Sequence, residues 1–275
     1  MLKNARLLFF IGSLILLFSC SEYNRVLKSP NPELKYAKSI EYYEDEEYAK
    51  TLPLLEELIP LYKGTEKGKK IYYYYCYTNY YLNYMIAAAF HFKRFANTYP
   101  HSEEAEDALF MSAFCNYLES PVPTLDQEPT YKALEELQIF ANTYPNSPLI
   151  DSANNLVDEL RLKIETKDYL NAYQYYKIRR YKAAIQALEN FQEKYPISNF
   201  AEEVKLLVLK ASYYLAVNSI EEKKAERFED GISAYFDFID NFADGKNVNE
   251  AETYYARLIR EREEYLKEKR GSDEL

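Results

Sequence analysis

Phe95-Ala96-Asn97-Thr98-Tyr99-Pro100 returns letter for letter as Phe140-Ala141-Asn142-Thr143-Tyr144-Pro145. A looser copy stands at Phe191-Gln192-Glu193-Lys194-Tyr195-Pro196 and a weaker one at Phe238-Ile239-Asp240-Asn241-Phe242-Ala243. Upstream, Leu58-Ile59-Pro60-Leu61-Tyr62-Lys63 fills the same slot. Repetition at such intervals bears on the fold before local propensity does. In each copy the first residue and the aromatic four positions on share one helical face. The Pro stops the helix, because the residue before it disfavours αR geometry. The hexapeptide therefore predicts the closing end of a recurring helix.

Five markers follow from it: Lys63, Pro100, Pro145, Pro196 and Ala243. Twelve residues before each lies a small residue, Thr51, Ala88, Ala133, Ala184 or Gly231. Five before each lies Leu58, Phe95, Phe140, Phe191 or Phe238. A small residue permits close helix approach, and the large one seven positions on fills the space beyond it on the same face. The pattern resembles the tetratricopeptide repeat, two antiparallel helices with small and aromatic signatures and a closing Pro. The resemblance implies an all-α superhelical solenoid of about five repeats plus a C-terminal capping helix.

Marker spacings of 37, 45, 51 and 47 exceed the repeat's usual period of about 34, so the repeats are padded. Ser120 to Pro129 is a Pro-rich connection that cannot be helical throughout. Helical runs near 149–177 and 221–241 account for much of the rest. A charged helix from about Val248 to Lys269 is expected to cap the array, ended by Gly271-Ser272-Asp273, with a flexible tail over 270–275.

Composition agrees with an all-helical chain. Of 275 residues only six are Gly, while Ala, Leu, Glu and Lys are abundant and no sustained alternation occurs. Thirty Tyr and no Trp point to aromatic packing between helices. A net charge of -10 excludes the basic footprint of a nucleic-acid binder.

Residues 1–19 read as an export signal. Lys3 and Arg6 precede an apolar run from Leu7 to Phe18 that is shorter than the about 20 residues needed to span a membrane. The run closes in Leu17-Phe18-Ser19-Cys20, which resembles a bacterial lipobox and implies lipidation of Cys20. Acyl chains on that Cys would anchor the protein stably. Cleavage removes Lys3 and Arg6 and no acid, taking the net charge from -10 to -12. Residues 20–32, with Pro30 and Pro32, read as an extended tether. Repeats one to three are expected over 33–147, and repeats four and five with the cap over 148–269. Cys76 and Cys115 lie in apolar helical contexts and read as buried free thiols.

Catalytic signals are sparse. His91 and His101 are ten residues apart with the helix-ending Pro100 between them, which precludes a helical metal pair. No phosphate loop, nucleophile elbow or H-E-x-x-H occurs. Glu103-Glu104 and Glu202-Glu203, after Ser102 and Ser198, read as acidic first turns that complement helix dipoles. The expectation is a protein that is not an enzyme and has no metal or cofactor beyond the lipid. The sharper feature is Tyr72-Tyr73-Tyr74-Tyr75-Cys76-Tyr77-Thr78-Asn79-Tyr80-Tyr81-Leu82-Asn83-Tyr84. Tyr73, Tyr77, Tyr80, Tyr81 and Tyr84 share one broad helical face, and all but the last fall in the repeat register that lines the groove of such arrays. Tyr36 and Tyr43 take matching places one repeat earlier. Such a surface suits a peptide, through stacking and hydroxyl hydrogen bonds; the same tyrosines would also serve as helix packing.

Signal, lipobox, tether and padded repeats together resemble the BamD family of outer membrane assembly lipoproteins. Its more specific echoes are Leu125-Asp126-Gln127 before Ala133, the motif from Phe140 to Ser147, and Tyr173-Gln174-Tyr175-Tyr176 ahead of Arg180-Tyr181-Lys182-Ala183-Ala184-Ile185. The resemblance implies a periplasm-facing, lipid-anchored scaffold of the outer membrane β-barrel assembly (BAM) machinery. Unfolded outer-membrane protein precursors would contact a groove of Tyr36, Tyr43, Tyr73, Tyr77 and Tyr80. A periplasmic domain of the barrel-forming assembly protein (BamA-like) would sit near Tyr176, Arg179 and Arg180. Where family members commonly carry an Arg on the second helix of the fourth repeat, this chain reads Gln186-Ala187-Leu188-Glu189-Asn190, so its ion pairs there differ. Competing expectations are a surface lipoprotein binding nutrients or glycans, disfavoured by the lack of Trp, and a scaffold for a cell-envelope hydrolase.

Overall fold

A computed structural model describes residues 22–273, so the export signal, Cys20 and the last two residues lie outside the described residues. The described chain is all helical: α1 (Pro32–Glu44), α2 (Tyr48–Leu61), α3 (Glu66–Tyr81), α4 (Met85–Thr98), α5 (Ala105–Leu118), α6 (Glu128–Thr143), α7 (Ile150–Lys177), α8 (Tyr181–Lys194), α9 (Ala201–Val217), α10 (Glu221–Phe242) and α11 (Val248–Asp273). Taken in order they form five helix pairs and a final single helix, the tetratricopeptide-type arrangement.

The repeat markers do the packing. Thr51, Ala88, Ala133 and Ala184 are buried, as are Leu58, Phe95, Phe140, Phe191 and Phe238. At Gly231 a Cβ would stand 2.8 Å from the Leu258 side chain, so α11 approaches α10 closely enough here that Leu258 would have to shift to admit even Ala. Tyr62, Tyr99, Tyr144 and Tyr195 are the C-caps of α2, α4, α6 and α8, and each caps with its N–H donated to the carbonyl of Leu58, Phe95, Phe140 or Phe191. The hexapeptide is thus one helix-ending device used four times.

A second recurring device lies in the turns between paired helices. Glu46, Asn83 and Arg179 have φ of 59°, 62° and 60°. Each stands two residues before its second helix, in a left-handed conformation that costs a residue with a Cβ roughly 1–2 kcal/mol. Of the three, only Asn is suited to it.

Two compact units divide the chain, one ending at Leu160 and the other beginning at Arg161. This boundary falls within α7 rather than at 147/148, the expected close of the third repeat. The reason lies in the 28 residues of α7. Its first half packs Ala153 and Leu160 into the first unit's core, around Phe92, Phe95 and Phe140. Its second half packs Tyr169 and Ala172 with Leu188, Phe191 and Val204 in the second unit. The second unit has a further cluster around Phe228, Phe238 and Leu258.

Three smaller expectations are also corrected. Residues 22–27 are helical rather than extended, because Val26, Tyr42 and Leu54 form an apolar cluster with Tyr23 and Leu27 packed against it. The final helix continues to Asp273, through the stretch expected to end it and into the expected tail; a single Gly costs a helix only about 1 kcal/mol and need not stop it. Glu103 and Glu104 precede α5, whose acidic first turn is supplied by Glu106 and Asp107 instead. Glu202 and Glu203 do lie in the first turn of α9.

Candidate functional site: two grooves

The first groove belongs to the first unit and begins with a close approach. Gly68, in the first turn of α3, lies so near the Tyr62 carbonyl that a Cβ would be 2.0 Å from its oxygen. This contact brings the start of α3 against the end of α2. Lys67 then lies 4.2 Å from the ring centre of Tyr36 and 4.7 Å from that of Tyr62, and pairs with Glu33. Glu33 also accepts a hydrogen bond from the Tyr62 hydroxyl at 2.5 Å.

Beyond that corner lies a cavity of about 900 Å³, walled by tyrosines of α1 and α3 and by Lys67, Lys69, Lys70, Glu66 and Glu104. Tyr43 meets Tyr74 edge to face at 4.6 Å, and Tyr81 stacks on Tyr48 at 4.5 Å. Tyr73 and Tyr77 both donate to Asp107 Oδ2, at 2.6 and 2.5 Å. Burial, reinforced by that carboxylate, pushes both phenols well above their ordinary range, and burial does the same for Tyr43. These hydroxyls stay protonated and keep their hydrogen-bonding role at any physiological pH.

Four of the five expected groove residues, Tyr36, Tyr43, Tyr73 and Tyr77, line this cavity. Tyr80 does not: it turns about 60° away from Tyr77 on the helix and packs towards Phe114. The cavity-facing stripe is rotated slightly, so Tyr74 and Tyr81 join it at i, i+3 and i+7 from Tyr74. The three lysines are an addition. Their signal was the basic stretch Lys67-Gly68-Lys69-Lys70 in the opening turns of a helix, where positive charge opposes the dipole by about 0.3–1 kcal/mol per residue.

The second groove lies in the second unit, with a volume of about 1750 Å³. The expected partner residues Tyr176, Arg179 and Arg180 all line it. Tyr181 stacks on Tyr214 at 5.2 Å, and Tyr176 meets Tyr181 edge to face at 6.0 Å. Burial, with the neighbouring tyrosines, pushes the Tyr176 phenol up to about 12. Arg179 takes the left-handed turn and Arg180 is the N-cap of α8, again cations at the positive end of a helix. Gln186 and Glu189 of α8, Ser212 of α9 and Asp230 of α10 continue the lining. The acidic members were not singled out in the sequence as groove residues, because dispersed acidity reads as a solvated surface.

Elsewhere, Cys76 and Cys115 are free and buried, and burial raises both thiols, Cys115 to about 12, which keeps them unreactive. His91 Nδ1 lies 3.0 Å from the Tyr72 hydroxyl and is lowered by burial. Among the described residues no cluster of His, Cys, Asp and Glu could hold a metal ion, and no helix is long and apolar enough to cross a membrane.

A protein-family model described as YfiO, outer membrane lipoprotein, matches residues 29–177, somewhat more than half of the chain. No curated protein matches. The chain belongs to the YfiO family of outer membrane lipoproteins. The matched span contains the whole first groove and ends just before Arg179 and Arg180 of the second.

Proposed function

We propose that this lipoprotein is a BamD-like, non-enzymatic scaffold of the outer membrane β-barrel assembly machinery. It is anchored by lipid on Cys20, faces the periplasm and uses no cofactor beyond that lipid. The first groove receives segments of unfolded outer-membrane protein precursors. The second unit, around Tyr176, Arg179 and Arg180, holds a periplasmic domain of the barrel-forming assembly protein.

The observation that carries this reading is the tyrosine-and-lysine cavity of the first unit. Rings held in edge and stacked contacts offer flat apolar area at low entropic cost. Hydroxyls tied to Asp107 keep the Tyr73 and Tyr77 rings in place, and Lys70 in the lining supplies positive charge to a peptide. Membership of an outer membrane lipoprotein family supports the location.

Depletion in the native host, followed by quantifying folded porins, tests the assignment. Folded porins should fall and the barrel-forming assembly protein should co-purify. Unchanged porins with no such co-purification would refute it.

A further inference from the structure

The second groove is bipolar. Its walls are α8 and α10, and its floor is α9, which contributes Val208 and Leu215. One end carries Arg179, Arg180 and Lys182; further along α8 stands Glu189, facing α10. Glu226 of α10 is lowered chiefly by its bond to Lys223, and Lys182 of α8 adds to this. Two turns on, Glu189 is raised by burial and by the charges of Glu193, Asp230 and Asp237. Lys182 of α8 and Glu226 of α10 line this groove together, as do Glu189 of α8 and Asp230 and Asp237 of α10.

Several of these charges have no internal use. Lys205 neutralises Asp237 at 2.5 Å, and Lys223 pairs with Glu226 at 2.8 Å. Arg179, Arg180, Glu189 and Asp230 make no ion pair among the described residues. Like charges facing one another across a groove disfavour the free state and reward a counter-charge. From Arg180 to Glu189 is nine helical positions, about 14 Å along the axis. A helix of that length and about 10–12 Å in diameter fills roughly 1100–1600 Å³. The groove offers about 1750 Å³. An extended strand would cross the same distance in about four residues and leave much of it empty.

We infer that the second groove docks an amphipathic helix of a protein partner, with an acidic residue against Arg179 and Arg180 and a basic residue two to three turns away between Glu189 and Asp230, about seven or eleven positions on so that both side chains face the groove. Its apolar face rests on Val208, Leu215 and Ala234. This rests on the proposed partner role of the second unit and adds what that role lacks, a required cation on the partner. Val208 and Leu215 supply apolar burial, while the two charged ends set orientation and exclude helices of reversed polarity.

The test uses the full mature chain and, as probe, the purified periplasmic portion of the host's barrel-forming assembly protein. Affinity is measured against salt by biolayer interferometry. Glu189→Arg/Asp230→Arg and Arg179→Glu/Arg180→Glu should each weaken binding about tenfold or more, with helical content by circular dichroism unchanged. The milder Glu189→Gln/Asp230→Asn should weaken it less and flatten its salt dependence. Wild-type binding that is lost with the Arg pair but indifferent to both Glu189/Asp230 variants would overturn the bipolar helix and leave the partner role standing. No binding by the wild type would overturn both.

Discussion

The two units are built from the same helix pair, yet they offer different surfaces. In the first, the cavity is lined mainly by first helices of pairs, α1 and α3, with tyrosines and three lysines. In the second, the groove runs between second helices of pairs, α8 and α10, and is charged at both ends over a smaller apolar floor. Their cores differ correspondingly. The first unit has one large cluster running from α3 to α7 beside two small ones around Val26 and Leu58, whereas the second has two of intermediate size, around Phe191 and around Phe238. A repeat frame therefore leaves its surface free to vary while its packing positions stay constant.

The contrast can be broken hardest at the core. Phe95→Ala or Phe140→Ala removes a fully buried ring from the first unit, with an expected loss of about 3–5 kcal/mol. Urea unfolding followed by probes in each unit should show that loss in the first unit and a far smaller one in the second. Gly68→Ala comes next. Its methyl would overlap a backbone carbonyl, and overpacking of that kind costs about 1–3 kcal/mol. Because the clash pries α3 from α2, precursor-peptide affinity should drop with stability, and a second-unit ligand should be unaffected.

Asp107→Ala leaves two half-buried hydroxyls without their acceptor, at a cost of about 1–3 kcal/mol. Ultraviolet titration should show the Tyr73 and Tyr77 phenols ionising at lower pH than in the wild type, since part of their upward displacement comes from that carboxylate.

Acidity should weaken the first unit through His91. Burial lowers its folded-state value, so the unfolded chain binds the proton more readily. The stability it lends is present above the ordinary imidazole value near 6.5 and is lost as pH falls through the lower folded value. Thermal midpoints should decline over that window, and His91→Gln should shallow the decline.

The smallest effect is a gain. Glu46→Gly relieves a left-handed backbone and should stabilise by up to about 1 kcal/mol, with the paired Arg179→Gly acting likewise on the second unit.

Much of this fold was legible because helix packing demands a small residue and a large one at fixed separation. The five marker sets landed on buried positions, and the Tyr preceding each Pro became a cap. What misled was local composition without its tertiary partner. Pro30 and Pro32 suggested an extended tether, but Val26 had Tyr42 and Leu54 to pack against. Four of the five tyrosines read as a groove line one cavity; Tyr80 was included because it shares a broad face with Tyr77, and only the placement of α5 shows which side of that face is covered. Lys67, Lys69 and Lys70 could have been found by asking why cations stand at a helix N-terminus. The wall of Glu189 and Asp230 could not, since it exists only when α8 and α10 flank α9.

Site-specific photocrosslinking in native envelopes tests the central claim most directly, with the probe at Tyr81 for the first groove and at Gln186 for the second. The account predicts outer-membrane precursors from Tyr81 and the barrel-forming assembly protein from Gln186, each identified by mass spectrometry. The same partner from both positions, or neither of these proteins from either, would contradict it.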